Sequence, residues 1–125
     1  MALLLDAGAL IAVDRRDRNV RSLLSLARKE RVPIRTTAPV VAQVWRDGRR
    51  QANLARVLAS VEVLSFDRRH ARRAGELLGL TRSTDAVDAH LVLVAEPGDR
   101  ILTSDAEDIG RLLAARGVEA TVVGV

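Results

Sequence analysis

Short strand-like runs alternate with helical periodicity along the whole chain, and that alternation limits the fold more than any other feature. LLL at 3–5, IRTT at 34–37, VEVLSF at 61–66, RILTSD at 100–105 and EATVVGV at 119–125 read as strands. LLL is fully apolar, as expected of a strand buried on both faces. Helical segments fill the intervals. Residues 7–13 form a short one, and 19–31 a longer one with Val20, Leu23, Leu24 and Leu26 largely on one face, stopped by Pro33. Pro39 opens the next in its first turn; it carries VVAQVWR and is expected to end near Gly48. Residues 50–60 follow. A helix capped by Asp67 then runs to about residue 80, and AVDAHLVLVAE is capped by Thr84 or Asp85. The last helix starts after Asp105 and ends at the C-cap glycine Gly117. Strand and helix in strict alternation predict an α/β fold, with helices on both faces of a central parallel sheet of four to five strands. No repeat, linker or low-complexity stretch divides the 125 residues, so one domain spanning 1–125 is expected.

Hydrophobic residues at 48% supply a real core, and charges interrupt every apolar run before it reaches membrane-span length. No basic stretch precedes the first leucines, so no signal peptide is expected, and the absence of cysteine fits the cytoplasm. The net charge is +4, carried almost wholly by arginine, Lys29 being the one lysine. Such a surface suits an anionic partner such as RNA, although genomic codon bias gives the same composition. Aromatic residues are Trp45 and Phe66 alone. Base stacking therefore has no platform, and any nucleic-acid contact must rest on arginine and backbone groups.

The aspartates fall in a pattern. In an open parallel sheet, ligand sites form beyond the carboxyl ends of the strands. Asp6 follows LLL there and Asp105 follows ILTS. Asp85 and Asp88 share one helical face at i and i+3, as do Asp105 and Asp108. Each of these acids also lies at or near a helix start, where capping alone would explain it. For Asp85 and Asp108 capping or a supporting role is the expectation. Asp6, Asp88 and Asp105 together point to a metal site, because carboxylates converging from separate segments need a cation between them. An all-oxygen ligand set suits Mg²⁺ or Mn²⁺, which promote phosphodiester hydrolysis.

Four blocks, LLLDAGALIA, VVAQVWR, DAVDAHLVLVA and ILTSDAEDI, resemble in order and spacing the PIN-domain ribonucleases, and within them the VapC toxins of toxin–antitoxin pairs. The likeness covers nearly the whole chain. It implies a PIN-like three-layer α/β/α fold and a metal-dependent endoribonuclease held inactive by a cognate VapB-type antitoxin. It also implies a homodimer with two acidic sites in one RNA-binding groove. Asp6, Asp88 and Asp105 match the family's metal-binding acids, and Thr103 or Ser104 is expected beside the metal, bonded to a carboxylate or water. The departure is Gln43, where the family usually carries glutamate, followed by an arginine that is kept here as Arg46. Glutamine can hold a water or a phosphate oxygen but supplies neither charge nor a general base. The expected consequence is slow or Mn²⁺-preferring catalysis. The alternative is a PIN-like module that binds RNA or antitoxin without cutting.

Among the remaining residues, His70 is expected to be solvated, His90 to be a satisfied interfacial histidine, and Trp45 to pack in the core or a dimer interface. The arginines cluster at 15, 16, 18 and 21, at 46, 49 and 50, and at 68, 69, 72 and 73. Most such clusters are solvated surface. Arg46, Arg49 and Arg50 follow the Gln43 helix and are the best candidates to hold RNA phosphates. A response-regulator receiver domain has a similar length and an acidic pocket. It requires a lysine after its last strand, which this chain lacks.

Overall fold

The computed structural model describes all 125 residues. In chain order the elements are β1 (Leu3–Leu5), α1 (Ala7–Asp14), α2 (Arg18–Lys29), β2 (Ile34–Thr37), α3 (Ala38–Val44) and α4 (Ala52–Leu58), then β3 (Glu62–Leu64), α5 (Arg68–Thr81), α6 (Ala86–Val94), β4 (Arg100–Thr103), α7 (Ala106–Arg116) and β5 (Thr121–Gly124). All four strand pairings are parallel and the sheet order is β3-β2-β1-β4-β5. β1 is thus central and flanked on both sides.

That position explains the leucine run. Leu3 and Leu5 enter the core formed with α1 to α4, whereas Leu4 enters the opposite core with α5, α6 and α7. Successive strand residues point to opposite faces, so a central strand covered on both sides must be apolar at every position. Leu102 and Ile101 of β4 divide between the same two cores. The result is the expected PIN-like α/β/α sandwich. No helix is long and apolar enough to cross a membrane.

The chain reverses its winding direction at β1. β2 and β3 extend the sheet to one side, β4 and β5 to the other. The crevice of a doubly wound sheet opens at that switch, beyond the carboxyl ends of β1 and β4. The residues that leave those strands are Asp6 and Ser104–Asp105.

Several helix boundaries differ from the sequence expectation, the end of α3 most of all. α3 stops at Val44, not near Gly48, because Trp45 turns extended and Gln51 captures the following turn. The Gln51 Oε1 accepts the N–H groups of Arg46 at 2.7 Å and Asp47 at 3.1 Å. α4 accordingly begins at Ala52, two residues later than expected. Trp45 lies 37% exposed over Gly48, where an added Cβ would come within 3.1 Å of the indole; it is not a core residue. α2 ends ahead of Pro33, through Arg31 at φ +58°, whose following residue Val32 donates back to Ala27 O. Gly117 caps α7 at φ +78°, the left-handed position for which glycine is suited.

Candidate functional site

Asp6 is 4% exposed at the end of the central strand. Its Oδ1 accepts the Ala9 N–H at 2.8 Å, capping α1, and its Oδ2 accepts the Ser104 N–H at 3.2 Å from the far side of the switch point. The carboxylate is therefore a cap and also a tie between β1 and the β4–α7 turn. Two of its roughly four acceptor sites remain free. The tie demands close approach at Gly8: an added Cβ would fall 2.1 Å from Ser104 Oγ and 2.4 Å from Ser104 Cβ. Thr103 is fully buried, and its hydroxyl accepts the Asp105 N–H at 2.8 Å, setting the direction in which Asp105 leaves the strand. Ser104 thus meets the Asp6 carboxylate through its backbone N–H, while Thr103 orients backbone.

Capping holds for Asp85 and Asp105 as well, which accept the N–H groups of Asp88 at 3.0 Å and Asp108 at 3.4 Å. Asp88 caps nothing. It lies half-buried in the first turn of α6, and its carboxyl is pushed up to about 7. Burial is the main cause, followed by the charges of Asp85, Asp6, Asp105 and Asp108 in that order. Those acids come from three separate segments, so the fold brings them into one electrostatic neighbourhood at the switch point. Asp108 is raised too, chiefly through a hydrogen bond and charge repulsion with Asp105, despite its pairing with Arg111. Arg82, Ser83, Thr84, Arg111 and Leu112 complete a cavity of about 210 Å³ around Asp85, Asp88 and Asp108.

The donors are carboxylate oxygens, the set that a hard divalent cation takes. They do not converge into a finished cage, since no three acidic or imidazole groups stand together at ion-holding distances. The excess charge is what fits a cation: Asp108–Arg111 is the one ion pair that relieves this cluster.

Gln43 is exposed on α3, the helix that follows β2. Arg46 folds its guanidinium back onto the carbonyls of Ala42 and Trp45, and Arg50 pairs with Asp47 at 3.9 Å. Arg49 is exposed beside them, its backbone N–H held by Asp47. The three share one turn, two of them engaged locally.

The histidines depart from expectation. His90 is fully buried with neither ring nitrogen hydrogen-bonded, its ring 4.6 Å from Phe66 and 5.1 Å from His70. Burial, and then the neighbouring His70, hold its pKa below the usual histidine value. His70 is only partly solvated: its side chain is 30% exposed, but its Nδ1 is buried 3.3 Å from Asp67 Oδ1 without a hydrogen bond. An apolar stripe on α6 carries His90 inward, and the sequence gives no sign that α5 and α6 would pair these rings. Sequence reasoning also passed over Arg28 and Arg56, which lie 28 residues apart in the chain yet line one cavity with Arg21.

No family model matches the chain, and no curated protein matches it. Among solved structures it is similar to a chain of the crystal structure of VapBC2 from Rickettsia felis bound to a DNA fragment from their promoter, with a TM-score of 0.73 at 15% identity. The alignment covers 98% of this chain and 99% of that one. At that identity the likeness shows the fold, from one end of the domain to the other.

Proposed function

We propose that this PIN-like domain is a metal-dependent endoribonuclease that hydrolyses RNA phosphodiesters as the cytoplasmic toxin of a VapBC-type toxin–antitoxin pair. The observation that carries the reading is the gathering of Asp6, Asp85, Asp105 and Asp108, from three segments of the chain, around the half-buried Asp88 beyond the carboxyl ends of β1 and β4. A site of that kind binds cations. Asp6, Asp88 and Asp105 would hold Mg²⁺ or Mn²⁺, with Asp85 and Asp108 in support. Such an ion supplies Lewis-acid charge stabilisation and the activation of water.

The chain's own groups do the rest. Two backbone N–H groups fix the Asp6 carboxylate in one orientation, and Thr103 fixes the exit of Asp105. The Gln43 amide donates to a phosphate oxygen or positions a water, without a charge of its own. Arg49 and the uncommitted faces of Arg46 and Arg50 neutralise RNA phosphates. A VapB-type antitoxin is the proposed partner, a reading that the likeness to a chain from a VapBC2 complex supports, and a homodimer is the proposed assembly.

Purified protein free of antitoxin, incubated with mixed tRNA and rRNA in Mg²⁺, Mn²⁺ or EDTA, tests the proposal. Discrete metal-dependent cleavage by the wild type, absent in Asp6→Asn prepared identically, is the expected result. Equal activity in both preparations removes the site from consideration. Gln43 favours a second reading, a module that binds without cutting. Silence in the wild type with cleavage gained by Gln43→Glu would select it.

A further inference from the structure

Between α2 and α4 lies a cavity of about 430 Å³ floored by Val13, Leu24 and Val57. Its polar wall is made of Arg21, Arg28, Arg56, Ser25, Asn53 and Ser60, donor-bearing side chains without one carboxylate. None of the three guanidiniums takes part in an ion pair, although Arg35, Arg50 and Arg111 each find an acid elsewhere. Arg28 Nη2 donates to Ser60 Oγ at 3.0 Å, and that hydroxyl donates to Val57 O at 3.0 Å, which ties α2 to α4 at the cavity wall. Three like charges around one hollow repel one another unless an anion enters. Planar guanidinium forks suit a phosphate, which they bind bidentately.

The positive surface continues. An adjoining hollow shares Arg21 and Ser25 and adds Arg18 and Lys29. α2 therefore presents four cationic side chains with no acid between its cap Asp17 and Glu30. At the head of α2, Arg15 and the capping carboxylate of Asp17 join Gly8 and Ser104, the residues packed against Asp6, in a third hollow. Basic groups thus lead from the acidic lip down the length of α2. The other arginine cluster, on α5, is different, because its hollow belongs to one helix and includes the carboxylate of Asp67.

We propose that the α2–α4 cavity is a phosphate-binding exosite that grips the RNA backbone away from the acidic lip. The inference rests on RNA being the ligand of that lip. No aromatic side chain lines the cavity, so it holds backbone and not bases, and contributes affinity without sequence preference.

Fluorescence anisotropy of a labelled 20-nucleotide RNA, titrated with the full chain in EDTA at several salt concentrations, reads binding without cleavage. The triple variant Arg21→Gln, Arg28→Gln, Arg56→Gln is expected to bind at least about tenfold more weakly. Its slope of log affinity against log salt should fall by about two, as three single-strand phosphate contacts require. Replacing the same three arginines by lysine should restore the slope but only part of the affinity. A charge-matched variant with Arg68, Arg69 and Arg72 changed to glutamine should lose less than about twofold. Equal loss in both glutamine variants, an unchanged triple variant, or a wild type that does not bind RNA each overturns the exosite. Displacement of the RNA by polyglutamate of matched charge as readily as by unlabelled RNA also overturns it, in favour of an acidic protein segment. Cleavage in Mg²⁺ or Mn²⁺ separates the two readings: a protein that binds through these arginines yet never cuts keeps the exosite and loses the nuclease.

Discussion

Two buried aspartates close the two ends of β1, and they are built alike. Asp6 at the carboxyl end accepts one N–H from its own helix start, Ala9, and one from Ser104, 98 residues away. Asp99 at the amino end accepts one from Glu96, three residues back, and one from Ala2, 97 residues away. Exposures of 4% and 1% leave both largely out of water. Each therefore ties the central strand to the segment next to β4. Their neighbours differ. Asp6 is one of four acids that drive the Asp88 carboxyl upward, and Asp99 is not among them. Hydrogen bonding and burial alone would rank the two aspartates equal. The company of other uncompensated carboxylates is what makes one of them a candidate for chemistry.

The largest effect should separate the pair by activity. Asp6→Asn and Asp99→Asn each place an amide where two N–H donors already point, so each forfeits a bond and costs about 1–2 kcal/mol of stability. Cleavage should fall by about 100-fold or more in Asp6→Asn alone, as a weakened hold on the cation that would stabilise the reacting phosphate implies. Measured well below both melting temperatures, Asp99→Asn should keep the wild-type rate. If both variants lose cleavage equally, the comparison collapses and both aspartates are structural. Truncation to alanine sharpens the contrast from the other side. Asp99→Ala leaves two buried N–H groups without a partner and should cost about 3 kcal/mol in urea unfolding. Asp6→Ala in EDTA should cost about 1 kcal/mol less, because it also removes a charge that repels Asp88.

Much of this was legible before any coordinates. LLLD placed the central strand and its exit acid, and strand–helix alternation gave the sheet and its parallel sense. Asp6 and Asp105 at the lip followed from the rule for open sheets. The bond from the Ala2 N–H to Asp99 was not legible, since nothing local in EPGDR marks Asp99 as the partner of a residue 97 positions earlier. The α2–α4 cavity escaped for a similar reason: Arg28 and Arg56 lie far apart in the chain and meet only through the packing of two helices. His90 was misjudged because an apolar stripe announces burial but not what the buried imidazole will face. Short-range order in the chain gives caps, strands and their exits. Contacts between distant elements need the fold.

Gly8 offers an intermediate effect at the Asp6 end only. A methyl group there overlaps Ser104 at its Cβ as well as its hydroxyl, so rotation of the serine side chain does not relieve the clash. Gly8→Ala should push the β4–α7 turn away from α1 and stretch the Asp6–Ser104 bond, destabilising by about 2 kcal/mol, in the range of overpacked sites. Ser104→Gly in the same chain removes the obstructing atoms and should recover most of that loss, as well as any lost cleavage. A double variant no better than Gly8→Ala would mean that close packing at Gly8 is not what holds Asp6 in place.

The smallest effect is the most specific to charge. Asp88 has a folded-state carboxyl near 7 against an ordinary value of 3.8. Below about pH 4 the acid is protonated whether the chain is folded or not, and it contributes nothing to the difference. Between pH 4 and 7 the unfolded chain ionises it while the folded chain keeps the proton, so the unfolded state binds fewer protons and stability falls as pH rises. Above 7 the contribution is flat. Asp88→Asn removes that slope. In EDTA at pH 8 the variant should be the more stable by about 1 kcal/mol, or about 4 °C in Tm, with the advantage vanishing at pH 4. Adding Mg²⁺ should reverse the order at pH 8, since a cation stabilises the wild-type carboxylates and finds one fewer in the variant. Asp99→Asn carries no Mg²⁺ response of its own. If Mg²⁺ raises Tm by the same amount in wild type and Asp88→Asn, the charge near Asp88 is not the cation's site, and Asp6 becomes a strand tie like Asp99.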